Sequence, residues 1–181
     1  LEDTLVQPEQ LAALLERCNA QAIRFALAQL QAGADLVGIG DAVCSLLSPK
    51  AYEALALPYE RALIEAIHRA GGLVKLHICG NTKRLLPLLV LTQADIIDVD
   101  WMVDYALAVR TCQGAAVNGN IDPVSVFLQG TPESVVERVQ ACSRAGNARS
   151  FISAGCEIPV GTPKQNILAH YEALCRLSNA V

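Results

Sequence analysis

His77 and Cys79, two residues apart in an apolar stretch, are the pair in this chain best placed to do chemistry together. If Leu73 to Ile78 is a β-strand, alternate side chains share a face, and the imidazole and the thiol point the same way. One nitrogen and one sulfur make half of a zinc site. A third donor has to come from another strand end. Cys156 stands in Ser153-Ala154-Gly155-Cys156-Glu157, at the end of the last strand the pattern contains, and parallel strands deliver such ends to a common rim. An imidazole with two thiolates suits Zn²⁺, and three protein ligands leave a fourth position open, as in catalytic rather than structural zinc. The competing reading is a histidine packed in an apolar core, which a lone H-x-C does not exclude.

The elements that must position these residues are legible as strands alternating with helices. From Pro8 to Ala32 apolar residues recur at three and four, predicting an amphipathic helix closed by Gly33. Asp35 to Gly40 reads as a short buried strand, and Ser48-Pro49 opens a helix running to about Ala70 and ended by Gly71-Gly72. Leu73 to Ile78 and Asp95 to Asp100 are expected strands, each followed by a helix, Thr82 to Leu91 and Val103 to Cys112. Ala115 to Asn118 and Ser150 to Ala154 complete the strands, while Thr131-Pro132 and Thr162-Pro163 open the last two helices with a cap and a proline. Five such βα units imply a parallel sheet with right-handed crossovers. Polar residues gather just after the strands (Asp41, His77, Cys79, Asp100, Asn118, Asn120, Cys156), where both a barrel and an open doubly wound sheet place ligands. Pattern alone leaves those two architectures open.

Composition narrows the classes. A chain of 181 residues, 52% of them hydrophobic and 4% aromatic, suits one α/β domain with buried strands. The formal charge of -4 comes with scattered Lys and Arg, which argues against a nucleic-acid binder. No apolar run approaches a membrane span of about 20 residues, and residues 1 to 10 lack the form of a secretory signal. The expected location is the cytoplasm, with the seven cysteines reduced, since their odd number and irregular spacing make no disulfide framework. Cys18, Cys112, Cys142 and Cys175 fall in helical patterns as small apolar residues, and Cys44 is left unassigned. Leu1 in place of an initiator Met suggests a fragment or a processed product.

Four phrases in order along the chain add a further expectation: His77-Ile78-Cys79-Gly80-Asn81-Thr82, Asp98-Val99-Asp100-Trp101, Asn118-Gly119-Asn120-Ile121-Asp122-Pro123 and Gly155-Cys156-Glu157-Ile158-Pro159. Together they resemble the uroporphyrinogen decarboxylase superfamily, in particular its methylcobalamin:thiol methyltransferase branch. The resemblance implies a (β/α)8 barrel of which this chain holds about strands 4 to 8. A partial barrel exposes strand edges and needs its missing half or a homo-oligomeric partner. In the methyltransferase branch an H-x-C pair and a later Cys hold zinc, and His77, Cys79 and Cys156 match those positions. The decarboxylases proper resemble Gly-His-Gly where this chain has Gly155-Cys156-Glu157, and they lack the H-x-C.

The expected activity is therefore methyl transfer from a methylcobalamin-type corrinoid, carried by a corrinoid protein, to a small thiol such as coenzyme M or homocysteine held by zinc. Glu157 is a candidate fourth ligand or catalytic acceptor. Asp41, Asn81, Asp100, Asn118 and Asn120 are candidate substrate-binding residues, with helix capping the competing role for Asp41 and turn formation for one of the asparagines. Trp101 either lines the pocket or packs. His68 and His170 read as surface residues. A porphyrin decarboxylase is the first alternative; it would need basic residues for several carboxylates, whereas only Lys75, Lys83 and Arg84 lie near, with Lys75 expected to point away from the neighbours of His77. A non-catalytic barrel remnant with structural zinc is the second.

Overall fold

The first helix, α1 (Pro8–Gln31), starts on a proline at its first turn and ends where Gly33 turns the chain with φ of 101°, a conformation that favours glycine. In the computed structural model, which describes residues 6–178, it leads into β1 (Leu36–Gly40), a 3₁₀ turn (Ala42–Leu46), α2 (Pro49–Leu55) and α3 (Leu57–Arg69). There follow β2 (Leu73–Ile78), α4 (Leu86–Leu91), β3 (Ile96–Val99), α5 (Tyr105–Thr111), β4 (Ala116–Ile121), a π-helical turn (Pro123–Leu128), α6 (Pro132–Ala145), β5 (Ser150–Ala154) and α7 (Lys164–Ser178). All five expected βα units are present.

The five strands are parallel and lie in the order β1-β2-β3-β4-β5. A doubly wound sheet reverses its strand order at a switch point, whereas each strand here pairs with the next in the chain. That is the wall of a barrel. One face is apolar and sealed by helices: Val74, Leu76, Ile78, Ile97, Val99 and Val117 are each at most 3% exposed. The alternate residues form the other face. The register sets Gly40, His77, Asp98, Asn118 and Phe151 side by side in one row across all five strands.

Several boundaries differ from the sequence reading for local reasons. The single helix expected from Ser48 to Ala70 is two, broken at Ala56, because Pro58 has no N–H and its ring crowds the carbonyl one turn back. The helix expected from Thr82 begins only at Leu86, after a turn in which Thr82 and Leu85 are buried. β4 runs on to Ile121, so Asn118 and Asn120 stand in a strand rather than a loop. Gly119 between them takes the positive φ, 126°, and a Cβ there would lie 2.6 Å from the carbonyl oxygen of Val99. No helix among the described residues is long and apolar enough to cross a membrane.

Candidate metal centre

His77 is the fifth residue of β2 and faces the open side of the sheet, while Cys79 follows the strand's last residue. The imidazole's Nδ1 lies 3.1 Å from the carbonyl oxygen of Asp98. A carbonyl only accepts, so Nδ1 carries the hydrogen and Nε2 presents its lone pair. That lone pair faces Cys79 Sγ at 3.2 Å, and Cys79 Sγ lies 3.8 Å from Cys156 Sγ. Donor atoms of all three side chains fall within 4.8 Å of one another. Around a tetrahedral zinc with ordinary bond lengths, two sulfurs stand about 3.8 Å apart and a nitrogen and a sulfur about 3.6 Å apart. The residues fit such an ion with small movements.

Two backbone devices hold the sulfurs in place. After Cys79 the chain turns at Gly80, with φ of 86°, and the Gly80 N–H donates to Asp100 Oδ2 at 2.8 Å. Asp100 Oδ1 also accepts from the N–H of Met102, and Asn120 donates to the carbonyls of Asp100 and Val103. Before Cys156, Gly155 donates to the carbonyl of Ile121 at 2.8 Å and sits so close to the chain that a Cβ would come 2.4 Å from the backbone nitrogen of Trp101. The thiol of Cys79 is pushed above its ordinary pKa first by burial, then by the hydrogen bond and charge of Cys156 and by the charge of Asp100. A cation between the sulfurs would reverse that.

The other candidates fall in different places. Asn118 donates to Asp98 Oδ1 at 2.7 Å on the open face, beside His77 in the row. Asn120 is 3% exposed and its amide group is bonded to backbone. Asn81 is exposed and accepts from the Lys83 N–H, on the rim of a groove of about 920 Å³ that Ser48 and Arg84 also line. Glu157 is exposed and is not among the donors gathered within 4.8 Å. Trp101 is 42% exposed. Asp41 precedes the 3₁₀ turn without capping it by its side chain, and it groups instead with Cys44 and Glu60.

Four expectations are corrected. Lys75 shares the face of His77, two residues away, and its Nζ lies 3.1 Å from Asp98 Oδ2; the period of two along a strand requires this. His68 is only a third exposed and meets Asp95 at 2.9 Å. His170 is half-buried, its Nε2–H donating to the carbonyl of Ile152 at 3.2 Å and its ring against Phe127, and burial lowers its pKa. Among the helical cysteines, Cys112 and Cys142 are buried as expected, but Cys18 is exposed. The reading missed Asp98 and Glu60. Asp98 could have been found from register alone, as the residue beside His77. Glu60 falls three and four residues before Leu63 and Ile64 and seven before Ile67, so the helical period places it on the buried stripe.

With the geometry in view, comparison with known proteins decides the lineage. The description "Uroporphyrinogen decarboxylase (URO-D)" matches residues 1–177. The chain belongs to the uroporphyrinogen decarboxylase family. Relatives within it include the Methylcobamide:CoM methyltransferase MtbA of Methanosarcina acetivorans, 35% identical over 88% of this chain and 47% of its own length. The protein of the same name from Methanosarcina mazei is 36% identical over 86% of this chain and 46% of its own length. Uroporphyrinogen decarboxylase 2, chloroplastic, of Arabidopsis thaliana is 32% identical over 92% of this chain and 42% of its own length. The chain thus spans about half the length of the curated relatives it matches. Among solved structures, a "methyltransferase from Methanosarcina mazei" superimposes with a TM-score of 0.90 at 20% identity, covering 98% of this chain and 52% of that one. Its likeness establishes the fold here, a partial TIM barrel.

Proposed function

We propose that the chain carries the thiol-activating centre of a zinc-dependent methyltransferase, moving a methyl group from a methylated corrinoid, presented by a corrinoid protein, to a small thiol such as coenzyme M or homocysteine. The supporting observation is the convergence of His77 Nε2, Cys79 Sγ and Cys156 Sγ at the C-terminal ends of β2 and β5. No fourth protein donor joins them among the described residues. The similarity to the MtbA proteins of Methanosarcina points the same way.

A free alkyl thiol has a pKa near 8.5, so only a few per cent is thiolate at neutral pH. Zinc bound by His77, Cys79 and Cys156 would supply the Lewis acidity that keeps a substrate sulfur deprotonated and nucleophilic. The chain's own groups do the rest. The carbonyl of Asp98 fixes the His77 tautomer, so that Nε2 is a ligand. Asp100 and Asn120 hold the turns that carry Cys79. Asn118 and Asn81 offer polar contacts to whatever lies along the rim, and Glu157 can reach it only from outside the ligand group.

The decarboxylases matched at comparable identity do not change this reading. Lys75 does face the open side, but its charge is paired with Asp98. Lys83 and Arg84 line the outer groove. Among the described residues, then, no uncompensated cation is placed at the His77 face.

The test is zinc content per chain after dialysis, with zinc X-ray absorption, for wild type and Cys156→Ser. At this centre one zinc with two sulfur ligands, lost or weakened in Cys156→Ser and gaining a third sulfur when thiol substrate is added, is expected, together with demethylation of methylcobalamin followed by its visible spectrum. Full demethylation by protein verified free of zinc would sink the proposal.

A further inference from the structure

The zinc centre leaves unused a second set of donor side chains. Asp41, Cys44 and Glu60 come from the end of β1, the 3₁₀ turn and α3, and their donor atoms also lie within 4.8 Å of one another. Cys44 is 5% exposed and Glu60 4%. Tyr52 on α2, with no exposed surface, donates its hydroxyl hydrogen to Glu60 Oε2. That bond fixes the carboxyl plane and leaves Oε1 buried, with no hydrogen-bond partner among the described residues.

Buried polar atoms of native proteins are rarely left this way. Asp41 offers Oε1 only a further acceptor, which an ionised Glu60 carboxylate cannot use and only a protonated one could meet, and the Cys44 thiol is a weak donor. Burial raises the Glu60 carboxyl to about 7, against the lowering effect of Tyr52, and Asp41 raises it further. Asp41 and Glu60 thus disfavour the Cys44 thiolate, and Asp41 disfavours the Glu60 carboxylate. They are also reachable. All three line a single cavity of about 370 Å³, whose wall includes Leu15 and Ala22 of α1 and Leu63 of α3.

We infer that Asp41, Cys44 and Glu60 form a second divalent-cation site, separate from the His77–Cys79–Cys156 centre, with Tyr52 orienting Glu60 from behind. A thiolate beside two carboxylates selects a borderline ion such as zinc or cobalt(II) over magnesium or calcium, which take all-oxygen sets. Binding releases the protons of the Cys44 thiol and the Glu60 carboxyl to solvent. The site ties β1, the 3₁₀ turn and α3 together. It thereby steadies the surface on which the turn after Cys79 rests, for a Cβ on Gly80 would meet Ser45 Oγ at 3.3 Å.

Cobalt(II) is the probe, since thiolate ligation gives a charge-transfer band in the near ultraviolet. The chain carrying His77→Ala, Cys79→Ser and Cys156→Ser has no zinc centre, so any cobalt–thiolate band it shows has another source. The expected result is one cobalt per folded chain with such a band, lost when Cys44→Ser is added and weakened at least tenfold in affinity by Glu60→Gln. A triple variant that keeps its far-ultraviolet dichroism and its cooperative melt, yet retains no cobalt, overturns the inference. If the triple variant does not fold, the same count on the otherwise unaltered chain decides: Glu60→Gln removes one equivalent of metal if the site exists, and none if it does not.

Discussion

At the scale of single residues, Asp98 is the side chain whose role differs most from anything the motifs announced. Its carbonyl orients His77, its carboxylate lies 3.7 Å from Nδ1 of the same ring, and it also holds Lys75 and Asn118. A partner that aligns a metal-ligating imidazole commonly contributes 10–100-fold in affinity. Because the carbonyl survives substitution, Asp98→Ala is expected to weaken zinc by about 10-fold with the ligand set unchanged by X-ray absorption; an unaltered affinity would assign the orientation to the backbone alone. Glu60 makes a prediction of opposite kind. Its carboxyl is raised from 4.5 to about 7, chiefly by burial. Below pH 4.5 both the native and the unfolded chain hold the proton; between the two values only the native chain does; above about 7 neither does. Stability must therefore fall as pH rises through that window, by about 3 kcal/mol for a difference of this size. In urea titrations with chelator present, Glu60→Gln is expected to abolish that fall, and a slope that persists in the variant would place the titrating group elsewhere.

At the scale of elements, the site depends on how strand ends meet, and Gly155 is where β5 touches the turn after β3. With 2.4 Å between a would-be Cβ and the nitrogen of Trp101, backbone rather than a flexible side chain would have to yield. Gly155→Ala is expected to cost about 1–3 kcal/mol and to draw Cys156 away from Cys79, seen as a weaker zinc–sulfur signal, while an equally stable variant with intact zinc would show that the contact is slack. The same paragraph of chain shows what the sequence could and could not disclose. Strands β2 and β5 and their C-terminal donors were legible, since alternation and strand ends are local facts. Barrel against open sheet was not legible in the pattern of elements, because strand order is decided by non-local pairing that no single unit records; only the resemblance carried by the four motif phrases pointed to the barrel. Nor was the break at Ala56, although Pro58 marked it, because a proline at a first turn and one inside a helix look alike until the preceding turn is known. Asn118 and Asn120 suggested a turn by composition. The tertiary pairing of Asn118 with Phe151 and Asn120 with Ser153 overrode it.

At the scale of the whole molecule, the sheet is sealed on one side only. The helix-covered face is dry, whereas the row of Gly40, His77, Asp98, Asn118 and Phe151 faces a space that a closed (β/α)8 barrel would fill from its remaining strands. The edges of β1 and β5 carry no further strand among the described residues. Apolar surface lies along them: Leu36 is 36% exposed and Phe151 53%. Free edges with exposed apolar residues pair with whatever strand is offered. We therefore expect this chain in isolation to sediment as an oligomer, held by the edges of β1 and β5, and to release zinc more readily on dilution, because a dissociated sheet opens the face on which His77 sits. Sedimentation velocity at falling concentration, with zinc counted at each step, measures both together. A monomer that keeps the zinc lost in Cys156→Ser across the series would show that five strands already make a self-sufficient centre, and that the remainder of a barrel serves the partner protein and the substrate rather than the metal.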